Sequence, residues 1–235
     1  MLLSRKLSRL TNRVNSLEAE IAEHEGIGLS NLHQRRIVER CVMQLQIEME
    51  LFIRNYIFDC ATGLYSQSGT IVQSNLGHPF KSRERACDFL LKKNKSKREP
   101  QWAIPKNAID AAVALDLSNT AHISAELGVA PWEVDNLRYV RNFIAHRSKE
   151  SALKLRTIGL APPKDGIDPV AIIVGVSPMG GKNYQRWAGF IRGVATLGRL
   201  TTTFAGCSRS RDRSRPVAAP EGPLSGGNLS WVDCG

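Results

Sequence analysis

Apolar residues recur at alternating spacings of four and three positions near the start of the chain. These positions are Leu3, Leu7, Leu10, Val14, Leu17 and Ile21. The spacing puts the six side chains on one face of a helix, and Gly26 and Gly28 predict where this helix ends. Three heptads of this kind can form a coiled coil with a second helix or pack on the chain's own core. We favour packing on the core.

A second and longer helical pattern follows, and Ser30 or Asn31 can cap its start. Its apolar positions are Ile37, Cys41, Leu45, Met49, Phe52, Ile53, Tyr56 and Ile57. The segment 63–77 is polar and rich in Gly and Ser, which predicts a loop. Further helices are predicted over 85–91, 107–115, 118–127, 132–146, 152–158 and 183–200. We expect the indoles of Trp102, Trp132 and Trp187 to lie in the core.

Two later segments depart from the helical pattern. Residues 170–176 are rich in β-branched side chains, which predicts a short strand or irregular insertion. From Ser208 onward the chain is rich in Arg, Ser, Pro and Gly and cannot bury enough apolar surface to fold, so we expect a disordered tail. The sequence therefore predicts an all-α protein. It consists of an N-terminal amphipathic helix that packs on the bundle (1–29), a helical domain (30–204) and a tail (205–235).

The composition favours a polyanionic partner. The 32 Lys and Arg residues exceed the 22 Asp and Glu residues, which gives a formal net charge of +10 and favours nucleic acid or an acidic membrane surface. No apolar run approaches the roughly 20 residues of a membrane-spanning helix, and the first residues lack the pattern of a secretory signal. We expect a cytoplasmic protein. Five cysteines without a C-x-x-C pair predict neither a disulfide framework nor a zinc site.

The glycine-rich segment 175–183 has some features of a phosphate-binding loop, because it follows an apolar run and precedes a helix. A P-loop requires Gly-Lys followed by Ser or Thr at a fixed spacing. Here Lys182 comes one position late and Asn183 replaces the hydroxyl residue. The segment is therefore predicted to be a turn. No metal site and no cofactor are predicted.

The segment 137–148 combines residue types that suit RNA cleavage. At about 100° per residue, Asn142 and His146 share a helix face, whereas Arg141 and His146 lie about 140° apart. A histidine that titrates near neutrality can move a proton on or off a ribose hydroxyl, and a guanidinium can neutralise charge on the phosphorane. A simpler interpretation also exists, because basic side chains near a helix C-terminus offset the helix dipole.

Two sequence motifs resemble those of a known superfamily. Arg141-Asn142-x-x-Ala145-His146, late in a helical domain, resembles the R-N-x-x-A-H form of the HEPN motif. The second-helix sequence Met49-Glu50-Leu51-Phe52-Ile53 resembles the Leu-Glu-x-Phe-Ile/Leu sequence of many HEPN helices. The RiboL-PSP type is the most similar in length and layout. The resemblance covers residues 30–154 and does not explain the chain after about residue 161.

The resemblance implies a homodimeric helical bundle in which two motif helices form one composite cleft. The implied activity is a metal-independent endoribonuclease that leaves a 2′,3′-cyclic phosphate. Arg141 would bind the scissile phosphate, and His146 would act as acid or base. Asn142 would orient the histidine or the phosphate. Glu50 would be a supporting residue. Such proteins often act as toxins with a cognate antitoxin protein, or in phage defence.

The charge around the motif agrees with an RNA partner. Residues 137–164 contain seven basic residues and one acidic residue, and we expect Arg138, Arg147 and Lys149 to contact RNA. Two other functions stay open. The chain can be a non-catalytic HEPN-like module that binds RNA or protein, or a helical scaffold in which the motif has no function.

Overall fold

The structure is a computed structural model that describes residues 3–27, 31–65, 69–77, 80–94, 96–129, 131–164 and 166–195. The predicted tail, the end of the last predicted helix and the alternative cap Ser30 lie outside the described residues. The helices are α1 (Leu3–Ile27), α2 (Leu32–Thr62), α3 (Arg83–Lys93), α4 (Pro105–Ala114), α5 (Thr120–Gly128), α6 (Pro131–His146), α7 (Lys149–Thr157), α8 (Pro169–Val174) and α9 (Asn183–Val194). The predicted all-α fold class is confirmed.

Helix α2 is the centre of the bundle and contacts α1, α3, α4, α6, α8 and α9. Its N-terminus is capped by Asn31, whose side chain accepts a hydrogen bond from the His33 backbone N–H at 2.8 Å. Its C-terminus is closed by Gly63, which adopts φ 93°, a left-handed conformation that glycine accommodates without a Cβ penalty. The helix therefore begins and ends where local side-chain chemistry permits.

The apolar face of α1 packs against α2 and α9. All six positions of the predicted seam are buried, and Val14 and Ile21 are completely inaccessible to solvent. Burying a large aliphatic side chain contributes about 1.5–3 kcal/mol, so this seam is a major part of the core. The seam is therefore occupied by the chain's own helices.

The strand predicted over 170–176 is wrong, because Pro169–Val174 form helix α8. Asp168 caps this helix by accepting a hydrogen bond from the Val170 N–H at 3.0 Å, and Pro169 lies in the first turn, where its missing N–H is tolerated. The helix contacts α2, α6 and α9. Burial among these helices overrides the β-preference of its side chains.

The described residues of segment 63–77 include regular structure where a loop was predicted. It contains a small antiparallel hairpin, in which β1 (Leu64–Tyr65) pairs with β2 (Ile71–Val72). The alternating burial of these four residues shows that one side of the hairpin rests on the core. A pattern of two residues per strand is too short to be recognised from sequence periodicity.

The predictions for the 175–183 turn and for the tryptophans are partly confirmed. The turn over 175–183 is confirmed: Val176 and Lys182 form an isolated bridge, and Gly180 and Gly181 adopt left-handed φ angles of 83° and 71°. Trp102 and Trp187 are buried as predicted, but Trp132 is 50% exposed, so its placement in the core is wrong. Trp132 lies in the first turn of α6, where the polar face of the helix points away from the bundle.

Candidate functional site

The site predicted from sequence lies where α6 ends and α7 begins. Val134, Leu137 and Val140 bury one face of α6 in the core and so fix the direction of its opposite face. The helix ends at His146, and Arg147 adopts φ 45°, with its N–H donating to the Phe143 carbonyl at 2.8 Å. This left-handed residue turns the chain sharply and leaves His146 exposed at the helix end.

Ser148 starts α7 through a reciprocal capping arrangement. Its hydroxyl accepts a hydrogen bond from the Ser151 N–H at 3.1 Å, and the Ser151 hydroxyl accepts one from the Ser148 N–H at 3.2 Å. A cap of this kind satisfies backbone donors that a helix start leaves free. The cap fixes the position of α7 beside the exposed face of α6.

The two helices form a polar cleft of about 270 Å³. It is lined by Arg138, Tyr139, Asn142, His146, Ser148, Glu150, Ser151 and Lys154. The structure thus brings together Asn142, His146 and Arg138 of the predicted residues. Hydroxyl, amide, imidazole and cationic groups in one cleft can bind an oxyanion such as a phosphodiester.

The cations of the cleft differ in their partners. Arg138 pairs with Asp135 at 2.7 Å (Nη2 to Oδ1), and its guanidinium lies 4.5 Å from the centre of the Tyr139 ring. Lys154 forms no ion pair or side-chain hydrogen bond in the part of the chain that the structure describes, and neither does His146. These two side chains are therefore free to contact a ligand.

Arg141 does not line this cleft. It lies on the flank of α6, half buried, and its Nη1 donates a hydrogen bond to Asn142 Oδ1 at 3.1 Å. Its Nε is buried and has no hydrogen-bond partner among the described residues. Because Arg141 takes the amide oxygen of Asn142, the NH2 group of that amide is the donor left for a ligand.

The other predicted residues lie outside the cleft. Glu50, on α2, accepts a hydrogen bond from Gln46 Nε2 at 2.5 Å. Arg147 forms an ion pair with Glu39 of α2 at 2.8 Å, and Lys149 is exposed in the first turn of α7. Three lining residues of the cleft were not predicted from the sequence: Ser148, Ser151 and Lys154. Their spacing of three residues is the signal that could have found them, because it places side chains on one helix face.

Two features of the described residues bear on a metal site and on a membrane-spanning helix. No three His, Cys, Asp or Glu side chains among them are grouped so that they could hold a metal ion. None of the described helices combines the length and the apolar character needed to cross a membrane.

Comparisons with protein-family models, with curated proteins and with solved structures give no match. The resemblance to HEPN proteins therefore rests on the two sequence motifs.

Proposed function

We propose that the protein is a metal-independent endoribonuclease of the HEPN type that acts on RNA in the cytoplasm. The observation that carries the proposal is the cleft between α6 and α7, in which an exposed His146 faces the same space as Asn142 and two cationic side chains. A role as a toxin or phage-defence effector, with a cognate antitoxin protein as partner, belongs to the same proposal and depends on the nuclease activity.

The proposed reaction is a transesterification within one RNA strand. His146 accepts the proton of a ribose 2′-hydroxyl, and the 2′-oxygen attacks the adjacent phosphorus. The bond to the 5′-oxygen breaks, that oxygen takes up a proton from solvent, and the products are a 2′,3′-cyclic phosphate and a 5′-hydroxyl; His146 then releases its proton to solvent. Lys154 and the amide NH2 of Asn142 stabilise the charge on the phosphate oxygens.

The position of Arg141 favours a dimeric form of this site. Within one chain the guanidinium lies outside the cleft and is held by Asn142. A second copy of the chain, packed with its α6 against the first, could supply Arg141 to the phosphate bound near His146. The same position also favours the second candidate function, a non-catalytic HEPN-like module that binds RNA or protein, because one chain alone does not combine the two groups.

Cleavage of labelled RNA in EDTA tests the enzymatic proposal. Wild type should produce cyclic-phosphate ends, and His146→Ala should reduce the rate by about 10²–10⁴, the usual contribution of a general acid or base. His33→Ala is the matched control, since His33 is exposed on α2 and does not line the cleft, so its loss should leave the rate unchanged. RNA binding without cleavage by any of the three proteins would favour the non-catalytic module, and equal cleavage by His146→Ala would overturn the proposal.

Mixing two inactive variants tests the composite site. Arg141→Ala lacks the guanidinium and His146→Ala lacks the imidazole, so each homodimer has two defective sites. A mixed dimer would hold one site with both groups, and cleavage should return on mixing and exchange of subunits. If both variants are inactive and the mixture stays inactive although mixed dimers form, Arg141 does not act across a dimer interface.

A further inference from the structure

The charges of α1 are divided between its two halves. The first half carries Arg5, Lys6, Arg9 and Arg13, and no acidic residue precedes Glu18; the second half carries Glu18, Glu20, Glu23 and Glu25. A helix macrodipole favours the opposite arrangement, with acidic groups near the N-terminus and basic groups near the C-terminus. The helix therefore gains no stability from this distribution, which calls for another explanation.

Three of the four acidic side chains form ion pairs with other parts of the protein. Glu18 forms an ion pair with Arg192 of α9, Glu20 with Arg40 of α2, and Glu25 with Lys182. These contacts connect α1 to the rest of the bundle. These three acidic side chains thus have a structural role that explains their presence.

The basic half is paired less completely, because two of its four side chains have no carboxylate partner among the described residues. Arg5 and Arg9 are exposed, and within the described part of the chain neither lies within 4 Å of a carboxylate. Arg13 is exposed and forms an ion pair with Glu48 at 3.4 Å (Nε to Oε1), whereas Lys6 turns inward to Asp59. The surface of α1 along the arginines is open, and the side chains between them are polar and uncharged, including Ser8, Asn12 and Ser16.

The three arginines are spaced to contact a continuous polyanion. Successive guanidiniums are four residues apart, which corresponds to about 6 Å along the helix axis. Like charges at this spacing repel and destabilise an isolated helix. A strand of phosphodiesters would remove that repulsion by placing negative charge between the arginines, while the serine and asparagine side chains donate hydrogen bonds to phosphate oxygens.

The other polyanionic surface, an acidic membrane, fits the same helix less well. An interfacial helix binds by burying its apolar face in the lipid and placing its basic face at the headgroups. The apolar face of α1 is already buried against α2 and α9. Only the electrostatic part of membrane binding is left for this helix.

We propose that the solvent face of the first half of α1, with Arg5, Arg9 and Arg13, binds the phosphate backbone of RNA. This surface, the α1 arginine face, is separate from the residues of the α6–α7 cleft. The proposal deepens the RNA-directed function above and shares its substrate class. Because its groups contact phosphates only, the α1 arginine face should bind without base preference.

Equilibrium binding to a 20-nucleotide RNA tests this proposal. The RNA carries 2′-O-methyl groups throughout, so that the proposed cleavage cannot occur. In the full chain, the triple variant Arg5→Gln, Arg9→Gln, Arg13→Gln should bind at least about tenfold more weakly at low salt, equally for oligo-U and oligo-A. The plot of the logarithm of its association constant against the logarithm of the salt concentration should be less steep by about 2, since each phosphate contact on a single strand contributes about 0.7 to the slope.

The matched control is Arg85→Gln, Lys106→Gln, Lys164→Gln, which removes three exposed cations from other elements and lowers the net charge equally. It should change the affinity less than about threefold. Circular dichroism checks that both triple variants are folded. If the two triple variants lose the same affinity, or neither loses any, the proposal is overturned.

Two further measurements separate this proposal from its alternatives. Vesicles of phosphatidylserine and phosphatidylcholine test the membrane: loss of vesicle binding with unchanged RNA binding would overturn the proposal in favour of lipid. Cleavage of unmodified RNA by wild type and His146→Ala is scored independently. A protein that binds through the α1 arginine face but never cleaves would refute the nuclease and leave this proposal standing.

Discussion

Two groups of charged side chains in this protein are used in opposite ways. Asp59 of α2 contacts both Lys6 of α1 and Arg83 of α3, and the Asp59 and Lys6 side chains are only 10% and 13% exposed. Burial, assisted by the nearby Arg83 guanidinium, lowers the pKa of Lys6 to about 8. This cluster joins three helices and leaves little capacity for a ligand.

The α6–α7 cleft shows the contrary arrangement. Asn142 lines it, and neither His146 nor Lys154 has an ion-pair partner among the described residues. The apolar face of α6 positions Asn142 and His146 without forming hydrogen bonds or ion pairs with them. The comparison teaches that charge alone does not identify a functional surface, because what matters is whether the fold already satisfies it.

The largest expected effect comes from breaking the buried cluster. Asp59→Asn leaves the buried Lys6 ammonium without its counter-charge, and losing one partner of a buried pair typically costs about 3–5 kcal/mol. We expect the free energy of unfolding, measured with urea, to fall by about 3 kcal/mol or more. Asp88→Asn, which changes an exposed carboxylate on α3, should change it by less than about 0.5 kcal/mol.

A second substitution shows whether the orphaned charge causes the loss. Adding Lys6→Met to Asp59→Asn removes the buried ammonium and keeps the apolar stem, so a large part of the stability should return. Arg83 can turn to solvent, because its side chain is 41% exposed. If the double variant is as unstable as Asp59→Asn, the buried ammonium is not the source of the effect.

The features that could be predicted from the sequence are those set by neighbouring residues rather than by distant ones. The α1 seam, a cap at Ser30 or Asn31 and the position of α6 follow from periodicity and capping chemistry, which depend on neighbours within a few residues. The helix α8 could not be predicted, because six residues carry too little periodicity and their burial comes from distant helices. Trp132 was misplaced because helical period alone does not decide which residues at an edge of the face are covered.

The candidate site was predictable only in part. The four-residue spacing of Asn142 and His146 requires that they share a face, and the structure places both in one cleft. The opposite wall, with Ser148, Ser151 and Lys154, depends on the angle at which α7 leaves α6, and Arg147 sets that angle through its left-handed φ. The pairing of Arg147 with Glu39 joins residues 108 positions apart and has no local sequence signal.

Ser148 has a structural role and a place in the candidate site, since it caps α7 and also lines the cleft. Ser148→Ala removes the cap and should reduce the free energy of unfolding by about 1 kcal/mol. Ser148→Asp keeps a capping oxygen and should retain stability, but its charge should weaken RNA binding to the cleft. Thermal unfolding and RNA affinity of the two variants separate the roles, and equal RNA affinity for Ser148→Asp and wild type would mean that RNA does not enter the cleft.

The smallest effect is expected at an ion pair nearer the surface, between Arg54 and Glu99. Arg54 donates two hydrogen bonds to Glu99, at 2.7 and 2.8 Å, and Trp102 donates a third at 3.2 Å. The Arg54 guanidinium lowers the pKa of Glu99 to about 2, against the opposing effect of partial burial. Both Arg54 and Glu99 side chains are 35% exposed, so solvent screening should limit the contribution of the pair to about 1 kcal/mol or less.

The sign of the pH dependence follows from the lowered pKa of Glu99. The ionised carboxylate is favoured in the folded state, so its contribution is complete above the ordinary pKa of 4.5 and declines as pH falls towards 2. The stability difference between wild type and Glu99→Gln should therefore be constant near neutrality and vanish in acid, whereas Asp110→Asn, at a highly exposed pair with Lys106, should show almost no difference at any pH. Equal pH profiles for the two variants would mean that partial burial adds nothing to a surface pair.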